Sequence, residues 1–289
     1  MIRPGPTPNP TETTVSTVST DLQHTARLAL ACLDLTSLND ADDAVAIAAL
    51  SQRALGPAGL PAALCVWPRF VGQARAALPP AVRVAAVANF PAGADNLGLA
   101  LADTRAIVAA GADEVDLVLP WRQLLSGDAA DAERAAALVM AVRAACAGRT
   151  LKLIIESGEL ANPALIRQAS LIGLDAGVDF LKTSTGKMPS GATPAAARVM
   201  LQAIAAHPRG AQVGFKASGG IRTVADAAVY ITLVREILGG SALTPQRLRF
   251  GASGLLGDIE TVLAGSGGGS GDGSIDGSGG GKGTAASSY

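Results

Sequence analysis

The feature that most constrains this chain is an alternation. Eight short apolar runs, too brief to be helices, are separated by stretches whose apolar residues recur about every 3.6 positions. The runs lie at 30–35 (LACLDL), 62–67 (AALCVW), 83–89 (RVAAVAN), 114–119 (EVDLVL), 151–156 (LKLIIE), 179–184 (DFLKTS), 212–218 (QVGFKAS) and 247–253 (RLRFGAS). The intervening stretches, such as DDAVAIAALSQRAL and TPAAARVMLQAIAAH, are amphipathic, and several open on an Asp, Asn or Thr suited to capping a helix. Strands joined by helical crossovers form a parallel sheet, so the pattern predicts an α/β fold, a (β/α)8 TIM barrel spanning residues 21–264. An open doubly wound sheet is the alternative, weakened because no GxGxxG follows the first run.

Both ends differ from this body. Residues 1–20 are polar and rich in Pro and Thr, which suggests a disordered extension. Residues 265–289 form a Gly/Ser-rich tail in which eleven of residues 265–283 are glycine, and it ends at Tyr289.

A net charge of −1 without a basic block argues against a nucleic-acid partner. No apolar stretch is long enough to span a membrane, and the first residues lack the apolar core of a secretory signal. Three widely spaced cysteines, Cys32, Cys65 and Cys146, suggest neither a disulfide framework nor a CxxC site. A cytoplasmic protein is the expectation. With only His24 and His207 present, neither a histidine metal site nor a Ser/His triad is expected, and no metal or cofactor is implied.

The chemistry concentrates in the later strands. Lys182 interrupts an otherwise buried segment, GVDFLKTSTGK, with no acidic neighbour in sequence. Strands 6, 7 and 8 share a pattern, Lys182-Thr183-Ser184, Lys216-Ala217-Ser218 and Gly251-Ala252-Ser253. If the serines mark one level, Lys182 and Lys216 point inward on adjacent strands, and Gly251 at the same level leaves space for a ligand. Period-two alternation turns Asp116 inward together with Glu114 and Val118. The segments AAGADEVDLVLP and DAGVDFLKTSTG resemble one another and assign Asp116 and Lys182 equivalent positions. Lys152, at the start of its strand, reads as structural.

An amine attacks a carbonyl only when neutral, and an ordinary lysine is neutral in roughly one molecule in 2,500 at pH 7. A second ammonium about 4 Å away, at an effective dielectric near 20, lowers that pKa by about 3 units. Lys182 is therefore the candidate Schiff-base nucleophile, with Asp116 and Lys216 as proton-transfer groups.

Small Gly-rich loops follow these strands: STGK (184–187), SGGIR (218–222) and GASG (251–254). The last two precede helices whose N-terminal N–H groups suit a phosphate. The candidate substrate-binding residues are Thr183, Gly186, Lys187, Gly219, Gly220, Arg222, Gly251, Ser253 and Gly254. Asp34 and Thr36 either reach the barrel mouth or cap the next helix, and Cys65 reads as packing.

Taken in order, LDLTSLN, LCVWPRF, VANFPAG, GADEVDLVLP, IIESGEL, FLKTSTGK, VGFKASGGIRT and RFGASG resemble the deoxyribose-phosphate aldolases over residues 21–264. The resemblance implies a class I aldolase that cleaves 2-deoxy-D-ribose 5-phosphate reversibly to D-glyceraldehyde 3-phosphate and acetaldehyde. It places the Schiff-base lysine at Lys182 and the proton-transfer pair at Asp116 and Lys216. The ending SSY also resembles the family's tail, whose terminal tyrosine assists proton transfer, which makes Tyr289 a further candidate. A flexible 24-residue stretch spans about 25–30 Å, enough to return to the barrel mouth. The partners implied are sugar-phosphate and aldehyde substrates, and Ala-rich helix faces leave a homodimer open.

Overall fold

The computed structural model describes the backbone of residues 10–265 and the side chains of residues 21–265. Its strands are β1 (Leu33–Thr36), β2 (Ala63–Val66), β3 (Arg83–Ala88), β4 (Glu114–Val118), β5 (Thr150–Ile154), β6 (Phe180–Lys182), β7 (Gly214–Ser218) and β8 (Leu248–Ala252). They pair in parallel in chain order, and β8 closes onto β1, which makes the (β/α)8 barrel that the alternation predicts. β1 starts three residues later than expected because the helix Pro10–Ala31 runs through the Leu/Ala-rich LALA, residues that favour helix. That helix begins inside the stretch read as a disordered extension. Residues 1–9 and the tail from 266 to Tyr289 lie outside the described residues.

Local chemistry sets the element boundaries. Asp43, Asn96, Asp128, Asn162, Thr193 and Thr223 each accept a backbone N–H at the start of a helix. The helices Leu97–Ala109 and Pro163–Asp175 run out at Gly111 and Gly177, where φ is +92° and +83°. Few side chains tolerate that backbone, and each glycine turns the chain into the next strand.

Alternation along the strands separates two interiors. Leu33 and Leu35, with Leu64, Val66, Val115, Leu117, Leu153, Leu181, Phe215 and Phe250, pack in the main apolar core with residues of the surrounding helices. Inside the barrel, Cys65, Ala85 and Val87 form a small apolar patch with Leu38. Opposite this patch the interior holds a buried cluster of charged side chains, Asp34, Glu114, Asp116, Lys152, Lys182, Lys216 and Arg249, and that asymmetry defines the site. Among the described residues no helix is long and apolar enough to cross a membrane.

Candidate active site

Lys182 and Lys216 are direct register partners on β6 and β7. Their amines converge on one carboxylate oxygen: Asp116 Oδ2 lies 3.0 Å from Lys182 Nζ and 2.8 Å from Lys216 Nζ. Asp116 and Lys182 each occupy the third residue of their strand, as the internal resemblance requires. Both lysines and Asp116 are essentially inaccessible to solvent. Ions buried this deeply cost several kcal/mol each unless they are paired.

The pairing is unequal. Lys216 also reaches Asp34 Oδ2 at 2.5 Å, so it touches two carboxylates. Lys152 touches three, with Glu114 Oε2 at 2.5 Å, Asp116 Oδ1 at 2.7 Å and Asp34 Oδ2 at 3.5 Å. Arg249 bridges Asp34 Oδ1 at 2.6 Å and Glu114 Oε1 at 3.0 Å. Among the described residues Lys182 pairs with Asp116 alone, through an oxygen it shares.

Acidities follow this inequality. Burial, and then the Lys216 ammonium, hold Lys182 below the ordinary lysine value against the pull of Asp116. Burial also opposes the charge on Lys216, but Asp116 and Asp34 outweigh it, and this amine is raised. Lys152 is raised likewise by Asp116, Glu114 and Asp34 in spite of its burial. Burial favours the protonated acid at Asp116, yet Lys152, Lys216 and Lys182 keep its carboxyl well below the usual range. Lys182 is thus the amine in the cluster that releases its proton most readily.

Several expectations need correction. Lys152, read as structural, is fully buried inside the barrel beside Asp116, with which it is in register, and it ties three carboxylates together. Gly251 is level with Ser218, and Arg249 is level with Lys216. The room left by the missing side chain at Gly251 holds no ligand, since a Cβ there would meet Ser218 Cβ at 2.9 Å and Lys216 Cε at 3.0 Å. Asp34 caps no helix; it is in register with Gly251 and fully buried. Both of its oxygens are held by Lys216 and Arg249, while Asp43 caps the helix Ala44–Arg53. Thr36 is buried and donates to the Asp34 carbonyl at 2.7 Å.

The mouth loops are stitched together. Thr183 Oγ1 accepts from Ser218 N at 3.0 Å and donates to Ser218 O at 3.1 Å, while Ser218 Oγ donates to Ser184 O at 2.6 Å. Ala192 N donates to both Ser218 O and Gly219 O at 3.1 Å. Gly186, Gly219 and Gly220 adopt φ of +77°, +84° and +85°, so the STGK and SGG turns depend on glycine. Lys187 is half-buried and Arg222 exposed. The helix Val224–Leu238 does not offer the open N–H groups expected of it. Asp226 Oδ2 accepts from Arg222 N and Thr223 N at 2.9 Å, and Asp258 Oδ2 from Val224 N at 2.7 Å. The helix Leu255–Ala264, which follows Ser253 and Gly254, has no side-chain cap among the described residues. Tyr289 lies outside the described residues.

Two buried groups escaped the sequence reading. Arg249 stands two positions before Gly251, so strand alternation alone turns it inward. Glu156 sits in the left-handed region with φ +53°, and its carboxylate accepts from Thr185 N at 3.1 Å. Nothing local in IIESGEL marks that conformation. Among the described residues, no cluster of three or more His, Cys, Asp or Glu side chains forms a metal site.

Solved structures share this architecture. A protein of Toxoplasma gondii assigned as a deoxyribose-phosphate aldolase superposes with a TM-score of 0.78 at 23% identity, covering 86% of this chain and 97% of that one. A Coccidioides immitis protein with the same assignment gives 0.70 at 22% identity, covering 85% and 96%. The tetrameric deoxyribose phosphate aldolase of Aeropyrum pernix gives 0.62 at 23% identity, covering 86% and 97%. At these identities the likeness establishes the fold. The sequence profile of the DeoC/LacD family aldolases matches residues 28–243, a span that runs from before β1 to just short of β8 and contains Asp116, Lys182 and Lys216, and so this chain belongs to the DeoC/LacD family of aldolases.

Proposed function

We propose that this aldolase cleaves 2-deoxy-D-ribose 5-phosphate reversibly to D-glyceraldehyde 3-phosphate and acetaldehyde through a Schiff base on Lys182. The observation that carries the reading is the inequality of the buried amines: Lys182 has one shared carboxylate contact, whereas Lys216 has two and Lys152 has three. A neutral amine at Lys182 is the nucleophile this chemistry needs. Its lone pair attacks the aldehyde carbon C1, and the carbinolamine then loses water as Lys216 and Asp116 exchange protons with the oxygen and nitrogen. The resulting iminium accepts the electron pair of the C2–C3 bond when the C3 hydroxyl gives up its proton. D-Glyceraldehyde 3-phosphate leaves, an enamine remains, and protonation at C2 followed by hydrolysis frees acetaldehyde and Lys182.

The mouth suits a phosphate ester. The uncapped helix at Leu255 and the positive-φ turns at Gly186 and Gly219–Gly220 present backbone N–H groups, with Lys187 and Arg222 nearby in the same loops. Ser184 Oγ is buried without a hydrogen-bond partner among the described residues, two residues beyond Lys182, and can pair with a substrate oxygen. Tyr289, at the end of the tail, belongs to the same reading as an aid to proton exchange at C2. Assembly as a homodimer and residence in the cytoplasm are part of the proposal as well.

Acetaldehyde followed by borohydride tests this directly. The expected result is a stable mass increment on the peptide containing Lys182, absent from Lys182→Ala. Recovery of that peptide unmodified, with reduction at another lysine or none, would overturn the assignment.

A further inference from the structure

The charges inside the barrel do not balance. Within the ion-paired network Asp34, Glu114 and Asp116 stand against Lys152, Lys182, Lys216 and Arg249, all buried. Arg249 is the cation that leaves Asp116 untouched. Its Nη1 holds Asp34 at 2.6 Å, its Nη2 holds Glu114 at 3.0 Å, and its Nε donates to the Pro245 carbonyl. We propose, building on the Schiff-base reading, that Arg249 is a positioning residue: by engaging Asp34 and Glu114 it leaves the interior one cation in excess, and the surplus proton is surrendered at Lys182.

The sequence of contacts shows how. Asp34 divides its oxygens between Arg249 and Lys216. Glu114 divides its own between Arg249 and Lys152. Lys152 and Lys216 then complete their pairing on Asp116, one on each oxygen, and Lys182 is left sharing the second. Without Arg249, three carboxylates would face three ammonium groups and Lys182 would keep its proton. Without the charge on Glu114, the surplus would grow and Lys182 would lose its proton more easily.

The other groups that face Lys182 do not change this sign. Lys216 on β7 opposes its charge, and Asp116 on β4 and Cys65 on β2 favour it. Burial raises the Cys65 thiol, so it stays neutral. Glu156, beyond β5, is raised by its own burial and accepts from Thr185 N, and its coupling to Lys182 favours the ammonium, as that of Asp116 does. Lys152 on β5 acts on Lys182 through Asp116, and Asp34 on β1 through Lys216 and Lys152. A cavity of about 370 Å³ at the N-terminal end of the barrel is lined by Glu114, Phe180 and Arg249. It gives water a route to the gap that a neutral side chain at position 249 would leave.

Cyanate carbamylates only neutral amines and needs no aldehyde chemistry, so it titrates Lys182 whatever the protein's substrate. The pH midpoint of Lys182 carbamylation, read by peptide mass spectrometry, is measured in the wild-type chain, Arg249→Met, Glu114→Gln, Arg249→Lys and the Arg249→Met/Glu114→Gln pair. The expected midpoint moves up by about one pH unit in Arg249→Met and down by about one in Glu114→Gln, the order of effect a unit charge has across an interior of effective dielectric near 20. Arg249→Lys and the double variant should titrate like the wild type. Unmoved midpoints, or shifts of the same sign in both single variants, would overturn the inference even if the variants melt at lower temperatures. Glu114→Gln, nearly isosteric, decides alone if Arg249→Met does not fold. Failure of borohydride trapping with opposite cyanate shifts intact would sink the Schiff-base reading and leave the role of Arg249 standing.

Discussion

Lys182 and Lys216 face each other across β6 and β7 and share a single oxygen, Asp116 Oδ2, at 3.0 and 2.8 Å. Burial and the repulsion of the Lys216 ammonium together outweigh the attraction that the shared carboxylate exerts on Lys182. The second contact of Lys216, to Asp34, decides which of them stays charged. Burial contributes even more than Lys216 to the lowering at Lys182. The network therefore sets Lys182 apart, by position, as the amine whose charge is least favoured.

Stability and activity should separate at Lys152 and Lys182. Lys152→Met removes a cation that touches three buried carboxylates, and breaking a buried pair in this way costs about 3–5 kcal/mol. Lys182→Met removes an amine that is already disfavoured in its charged form, so the fold should lose little or gain. Thermal melts at pH 7 should show a clear drop for the first and none for the second, while borohydride trapping vanishes only in the second if the first still folds. A larger melting loss in Lys182→Met would contradict the contact inequality.

Gly251→Ala should impair catalysis by crowding Lys216. The new Cβ would press on Ser218 Cβ at 2.9 Å and Lys216 Cε at 3.0 Å, in a strand that has little freedom to move. Overpacking of this kind costs about 1–3 kcal/mol. The expected outcome is a fall in kcat through displaced Lys216, with substrate KM nearly unchanged. Wild-type kcat in a destabilised variant would show that Lys216 tolerates the shift.

Gly191→Ala should weaken recognition of the phosphate. A Cβ at Gly191 would lie 2.5 Å from the carbonyl oxygen of Gly219, and so would push apart the two loops that Ala192 N holds together. KM for a phosphorylated substrate should rise by about tenfold, roughly 1.4 kcal/mol of lost binding, whereas turnover of unphosphorylated deoxyribose should change little. Equal losses for both substrates would place the defect at Lys182 instead of the phosphate loops.

Much of this molecule is legible in its sequence because the relevant forces are local or periodic. Alternating apolar periods of two and 3.6 fix eight strands and their crossovers, and Asp, Asn and Thr caps with glycines 111 and 177 mark where helices begin and end. Alternation also turns Asp116, Lys182 and Lys216 inward, since side chains two residues apart share a face. Register is less visible. Gly251 lies one inward step beyond the level of Lys216, which Arg249 occupies, because stagger around a closed barrel depends on all eight pairings together. The expected open N-terminus at Val224 fails for a related reason: Asp258, which occupies it, comes from a helix 34 residues further on.

The sequence by itself determined the barrel, its order of strands and the triad Asp116, Lys182 and Lys216, because each follows from spacing along one chain segment. Only the tertiary structure decided which amine is the weak base. That depends on how Asp34, Glu114 and Asp116, carried by two different strands, divide their oxygens among Lys152, Lys182, Lys216 and Arg249 on four others. Charge sharing at distances near 3 Å is a property of the assembled interior, and no pattern along the chain encodes it.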